Sequence, residues 1–124
     1  AHEAFVAVAA EDAVATDLVP LDIDFHIAIA EASGNRLLYD LLSDLHSYLA
    51  ESRYLALVPE GRPQRSAAEH ALIIEAIQAR DAAMARLATS RHIAGVREIV
   101  ADGLGRELRD EKGTSGMSTG AGRG

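Results

Sequence analysis

From residue 2 to about residue 104 the apolar residues recur three and four positions apart, and they nowhere alternate as a half-buried strand requires. That single periodicity restricts the chain to helices that each bury one side. The first run, 2–14, sets Phe5, Val6, Ala9 and Ala13 on one side. Asp17 is the expected cap of a second helix, with Pro20 in its first turn, where no intrahelical amide is lost, and Gly34 as its stop. Asn35 caps a third helix over 36–57 whose expected core stripe is Leu38, Leu41, Leu42, Leu45 and Leu49. Pro59-Glu60-Gly61-Arg62-Pro63 reads as a loop on turn chemistry. Ser66-Ala67-Ala68-Glu69 matches a capping box and opens a fourth helix to 79, and Asp81 caps a fifth that runs to 101 or 104. From 110 onward Gly, Ser and Thr without periodicity predict a disordered tail. The expected fold class is all-α: an antiparallel bundle of about five helices over 1–109, followed by the tail over 110–124.

Composition bears on what such a bundle can bind. A net charge of −7, with Lys112 as the only lysine, opposes nucleic-acid binding by this segment alone, because that binding requires clustered cations. An anionic membrane surface is disfavoured for the same reason. There is no cysteine, hence no disulfide, thiolate ligand or cysteine nucleophile. No apolar run is long enough to span a bilayer, and the first residues lack the pattern of a signal peptide, so a cytoplasmic location is expected.

The histidines carry the chemical signal. Asp22 and His26, four residues apart, project from one face of the second helix beside Leu18, Leu21, Phe25 and Ile29. His70 falls in the stripe continued by Ile73, Ile74 and Ile77, and His92 lies among Ala85, Ala88, Val96 and Ile99. One aspartate and three histidines thus point inward from three helices. Leaving a buried polar group unmet costs roughly 1–3 kcal/mol, so four of them ask for a shared partner. A divalent metal is one, since imidazole and carboxylate suit zinc, nickel, cobalt or manganese and bundle interiors accommodate such sites. Spacing alone leaves the alternative open: each histidine hydrogen-bonded to a neighbour, and Asp22 facing a helix dipole. Asp24 reads as a solvated charge and His2 as part of a frayed end.

The run DIDFHIAIAEASGN over 22–35, joined by EHALIIEAIQARD over 69–81 and MARLATSRH over 84–92, resembles the C-terminal ligand-binding domain, FCD, of the FadR subfamily of GntR transcriptional regulators. The resemblance spans roughly 15–104. It implies an antiparallel bundle with a metal inside, held by Asp22, His26, His70 and His92, with zinc the first choice and nickel, manganese or cobalt as alternatives. It also implies a small organic acid as effector and a homodimer that changes its hold on DNA through winged-helix domains. No winged-helix segment precedes the domain here, so a truncated regulator, a fragment or a stand-alone sensor is expected.

One aspartate and three neutral histidines around a divalent ion leave a local charge near +1 and room for a carboxylate in place of bound water. Arg53, bordering the third helix's core face, is the candidate for a second anion contact. His46 and Tyr39, on the same flank, are weaker candidates for lining the effector site. An enzyme is the rival reading, but catalysis would want a general base near the metal, and no core-facing acid beyond Asp22 is spare once Glu69 serves as a cap. The third reading is a metal-free structural or dimerisation bundle.

Overall fold

The computed structural model describes residues 1–10 and 14–115, and those residues form five helices and no strand: α1 His2–Ala9, α2 Ala15–Ala32, α3 Arg36–Leu57, α4 Arg62–Gln78 and α5 Ala82–Ser115. Consecutive helices double back on each other. α2 packs on α3 and α4 on α5, α1 lies against both α2 and α4, and α3 closes the bundle against α5 and α4. None of these helices is long and apolar enough to cross a membrane.

The turns follow local chemistry. Gly34 takes φ 68° after α2, a conformation that costs a Cβ-bearing residue energy. The next residue, Asn35, accepts the Leu38 amide at 3.1 Å and starts α3. α4 ends in a doubly bonded reversal: Arg80 N–H donates to the Ile77 carbonyl and Asp81 N–H to that of Ala76, both at 3.0 Å. Arg80 accordingly sits at φ 55°, where glycine is the usual occupant. The Asp81 carboxylate then caps α5 through the Met84 amide at 2.9 Å.

Four expectations are corrected. α1 ends at Ala9 with Ala10 as its C-terminal cap, and Val14 is already the extended cap of α2, so the first helix does not reach 14; residues 11–13 lie outside the described residues. α2 begins at Ala15, which places Asp17 in its first turn rather than at its cap and Pro20 beyond the first turn. α4 begins at Arg62, four residues before the capping-box serine. Gly61 at φ 73° and Pro63 in the first turn set that start, because proline there forfeits no intrahelical hydrogen bond. α5 continues through Ser115, so the boundary expected at 110 falls inside a helix. Opposite charges one turn apart, Asp102 with Arg106 and Arg106 with Asp110, favour that continuation. The remainder of the expected tail, 116–124, lies outside the described residues.

The apolar core is concentrated at one end. Phe5, Ala9, Leu18 and Leu57 form its centre, with Val8, Val19 and Leu21 packed against them. Phe25, Ala30, Ala56, Ile73 and Ala76 are also buried. The stripe expected to be the core of α3 is not: Leu38, Leu41 and Leu45 are exposed, and only Leu42 and Leu49 are half-buried. α3 instead enters the core through Ala56 and Leu57 at its C-terminal end.

Candidate metal centre

The inner faces of α2, α4 and α5 meet in a cluster of polar side chains. Asp22 and His26 come from consecutive turns of α2, His70 from the middle of α4 and His92 from α5. Because α4 starts at Arg62, its inward row reads Arg62, Ser66, His70 and Ile73, all buried. His70 is 0% exposed, His92 2% and Asp22 6%, so these polar groups are as withdrawn from water as the apolar core.

Their mutual geometry is close. Ligand-type atoms of His26, His70 and His92 all lie within 4.8 Å of one another. The His70 ring stacks on Phe25 with centroids 3.8 Å apart, which fixes its plane. Asp22 faces two of the rings, with Oδ1 3.4 Å from His70 Nε2 and Oδ2 3.7 Å from His26 Nε2. Arg53 of α3 reaches in as well and donates through Nη1 to Asp22 Oδ2. A small cavity of about 50 Å³ adjoins the cluster, lined among others by Asp22, His26, Arg53, Ser66, His92 and Ile93.

Burial favours the neutral form of His26 and His70. Burial lowers His26 from 6.5 to about 4; Asp22 opposes the shift, while Arg53 and His92 add to it. Burial likewise lowers His70 to about 2, reinforced by the neighbouring His92 and His26. Neutral imidazole is the form that binds a metal. His70 is the most informative member, since neither Nδ1 nor Nε2 has a hydrogen-bond partner despite complete burial. The 3.4 Å approach of Asp22 is not aligned as a hydrogen bond. Orphaned nitrogen in a core is costly, and here it sits beside two more imidazoles and a carboxylate. The three histidines can therefore hold a metal ion, and the donor set is one that zinc and its neighbours accept.

The structure brings together Asp22, His26, His70, His92 and Arg53, and does not bring His46 and Tyr39 to them. His46 is exposed, with Nδ1 against the Ser43 carbonyl of its own helix. Tyr39 lies under the Arg36 guanidinium, 5.5 Å from ring centroid to Cζ, in a separate surface depression with Glu31 and Asn35. His2, expected at a frayed end, lies edge-on to His70 with centroids 6.2 Å apart.

Glu69 has a different role from the cap expected of it. With α4 beginning earlier, it lies within the helix, and its carboxylate accepts from His92 Nδ1 at 2.8 Å and from Arg62 Nη1 and Nη2 at 3.1 and 2.8 Å. Burial pushes its pKa up, but the hydrogen bonds from Arg62 and His92 outweigh that and hold it below the usual carboxylate range. Arg62, Ser66 and Glu69 were hidden by the misplaced start of α4. The signal that would have exposed them is Gly61 followed by Pro63, a helix-opening pattern that puts Arg62 and Glu69 two turns apart on one face.

Among known proteins, no curated sequence and no solved structure gives a significant match to the chain. The FCD domain model, however, matches residues 1–95, and the chain therefore belongs to the FCD domain family.

Proposed function

We propose that this chain is the ligand-sensing domain of a GntR-type regulator, and that Asp22, His26, His70 and His92 hold a divalent metal through which a small organic acid is recognised. The observation that carries this reading is His70, fully buried with both nitrogens unpartnered in the midst of two other histidines and Asp22. When bound, the metal would supply positive charge and open coordination positions for a carboxylate. Zinc is the first candidate, with nickel, manganese or cobalt as alternatives.

Arg53 is the second anion contact in this reading. Its guanidinium lies on Asp22 and lines the same cavity, and its Nε is buried without a partner. The cavity volume, about 50 Å³, suits a carboxylate group and not a whole sugar acid. Ile93 also borders a wider, mainly apolar groove between the α2–α3 and α4–α5 hairpins, lined by Ile29, Leu38, Ile73 and Ile77. The body of an effector would extend there once Ile93 gives way. Among the described residues the cavity has no acid besides Asp22, which favours binding over turnover because a general base is missing. The regulatory output, a homodimer whose grip on DNA through winged-helix domains changes with ligand, is part of the same proposal.

The test is metal analysis of the untagged chain, followed by thermal melts with a panel of small carboxylates. Near-stoichiometric metal and a carboxylate-induced rise in Tm that a chelator removes are expected. A folded chain that takes up no metal, and whose melts ignore every carboxylate, would sink the reading.

A further inference from the structure

The side of His92 that faces away from the cluster holds more than an imidazole needs. A backbone carbonyl or a water would satisfy Nδ1, yet it donates to Glu69 Oε2 at 2.8 Å. That carboxylate is itself gripped by Arg62, with Nη1 on Oε1 at 3.1 Å and Nη2 on Oε2 at 2.8 Å, and Arg62 is only 3% exposed. Arg65 adds a bond from Nε to Oε1 at 3.1 Å from the surface side. Glu69 thus accepts four hydrogen bonds, which uses the capacity of a carboxylate and leaves it no freedom to rotate.

The consequence falls on the tautomer. An ionised carboxylate only accepts, so Nδ1 of His92 carries the proton and Nε2 carries the lone pair. Nε2 is then the nitrogen that His92 can offer to the cluster with His26 and His70. The other two rings have no comparable hydrogen-bonded anchor: His70 has no hydrogen bond at either nitrogen, and the nearest charged group to His26 Nε2 is Asp22 at 3.7 Å. Burying a guanidinium beside a carboxylate is a costly way to brace a helix, because both ions lose their hydration. It is an economical way to hold one ring nitrogen as a strong, correctly aimed donor.

We propose that Glu69, clamped by Arg62, is a positioning residue that presents His92 Nε2 to a divalent metal and strengthens it as a ligand. This rests on the metal reading above. It extends the working unit from the four candidate ligands to two residues of α4 that touch none of the cavity's contents.

The experiment pairs zinc affinity, measured by competition with a chromophoric chelator, with nitrogen-detected NMR of the histidine rings in the metal-free chain. In the wild type His92 should show the proton on Nδ1. Glu69→Ala should weaken zinc binding about 10–100-fold and release the tautomer, with Glu69→Gln, which keeps an acceptor but not the charge, in between. Because Glu69→Ala strands a buried guanidinium, the double variant Arg62→Met with Glu69→Ala serves as the control. It should regain thermal stability and remain weak in zinc. Recovery of both properties together would mean that Glu69 is structural only and would overturn the proposal. So would zinc affinity in Glu69→Ala within twofold of wild type, or a wild-type His92 protonated on Nε2. A wild-type chain that binds no zinc while keeping the Nδ1 tautomer would instead overturn the metal reading, a result separable from the others.

Discussion

The inner faces of α2, α4 and α5 and the outer face of α3 invert the usual arrangement of polar and apolar groups. Asp22, His70 and His92 are buried, while Leu38, Leu41 and Leu45 of α3 stand 41%, 51% and 46% exposed. Both regions looked like core when judged by periodicity, because both carry residues at helical spacing. The difference is in what satisfies them. The polar groups find ion pairs, ring contacts and, for half-buried Glu69, four hydrogen bonds, but His70 still lacks a hydrogen-bond partner. The leucines of α3 remain about half exposed, and the homodimer proposed above would use them as its interface. In the proposed function a cation would complete the first region and the partner of the homodimer would cover the second.

The comparison can be broken most decisively at His70. His70→Ala should reduce zinc affinity roughly 100–1000-fold, a fair share of the roughly 10–16 kcal/mol that a four-ligand zinc site supplies. Unchanged affinity in a chelator competition would remove His70 from the ligands. Arg53→Ala leaves Asp22 buried without its partner and should destabilise the metal-free chain by about 2 kcal/mol in urea unfolding, less than a fully buried pair would because Arg53 retains some solvent contact. Zinc, by neutralising Asp22, should then raise Tm more in this variant than in wild type. Equal shifts would show that metal and guanidinium do not share the carboxylate. On the opposite face, Leu41→Lys with Leu45→Lys should leave zinc affinity unaltered and change the stability of the single chain by less than about 0.5 kcal/mol per site. Self-association followed by analytical ultracentrifugation should fall about tenfold; an equally tight assembly would locate the interface elsewhere. The smallest effect belongs to the start of α3. Asn35→Ala loses the cap on Leu38 and should cost about 1 kcal/mol in thermal or urea melts, with metal binding untouched.

Much of the helix order was legible because its signals are local. Gly34, Asn35 and Asp81 act where they stand, through a left-handed turn and two capped amides. The start of α4 was misread because two local signals compete within five residues. Ser66 and Glu69 have the spacing of a capping box, but Gly61 and Pro63 open the helix first, and Ser66 then becomes interior and buried. That one displacement concealed Arg62 and recast Glu69 as a cap. His46 and Tyr39 share a flank of α3 with Arg53 in the sequence, but only the C-terminal part of α3 turns into the bundle, so Arg53 arrives at Asp22 and the other two do not.

By itself, then, the sequence determined that the chain is helical and that one aspartate and three histidines lie on inward faces, because a period of 3.6 assigns each residue to a side of its own helix. It could not determine distance between helices. Tertiary packing decided that a nitrogen from each of the three imidazoles lies within 4.8 Å of the others, that Glu69 accepts from His92 and that the leucines of α3 stay exposed. Those outcomes depend on how separate helices meet, and spacing along one helix carries no information about its neighbour.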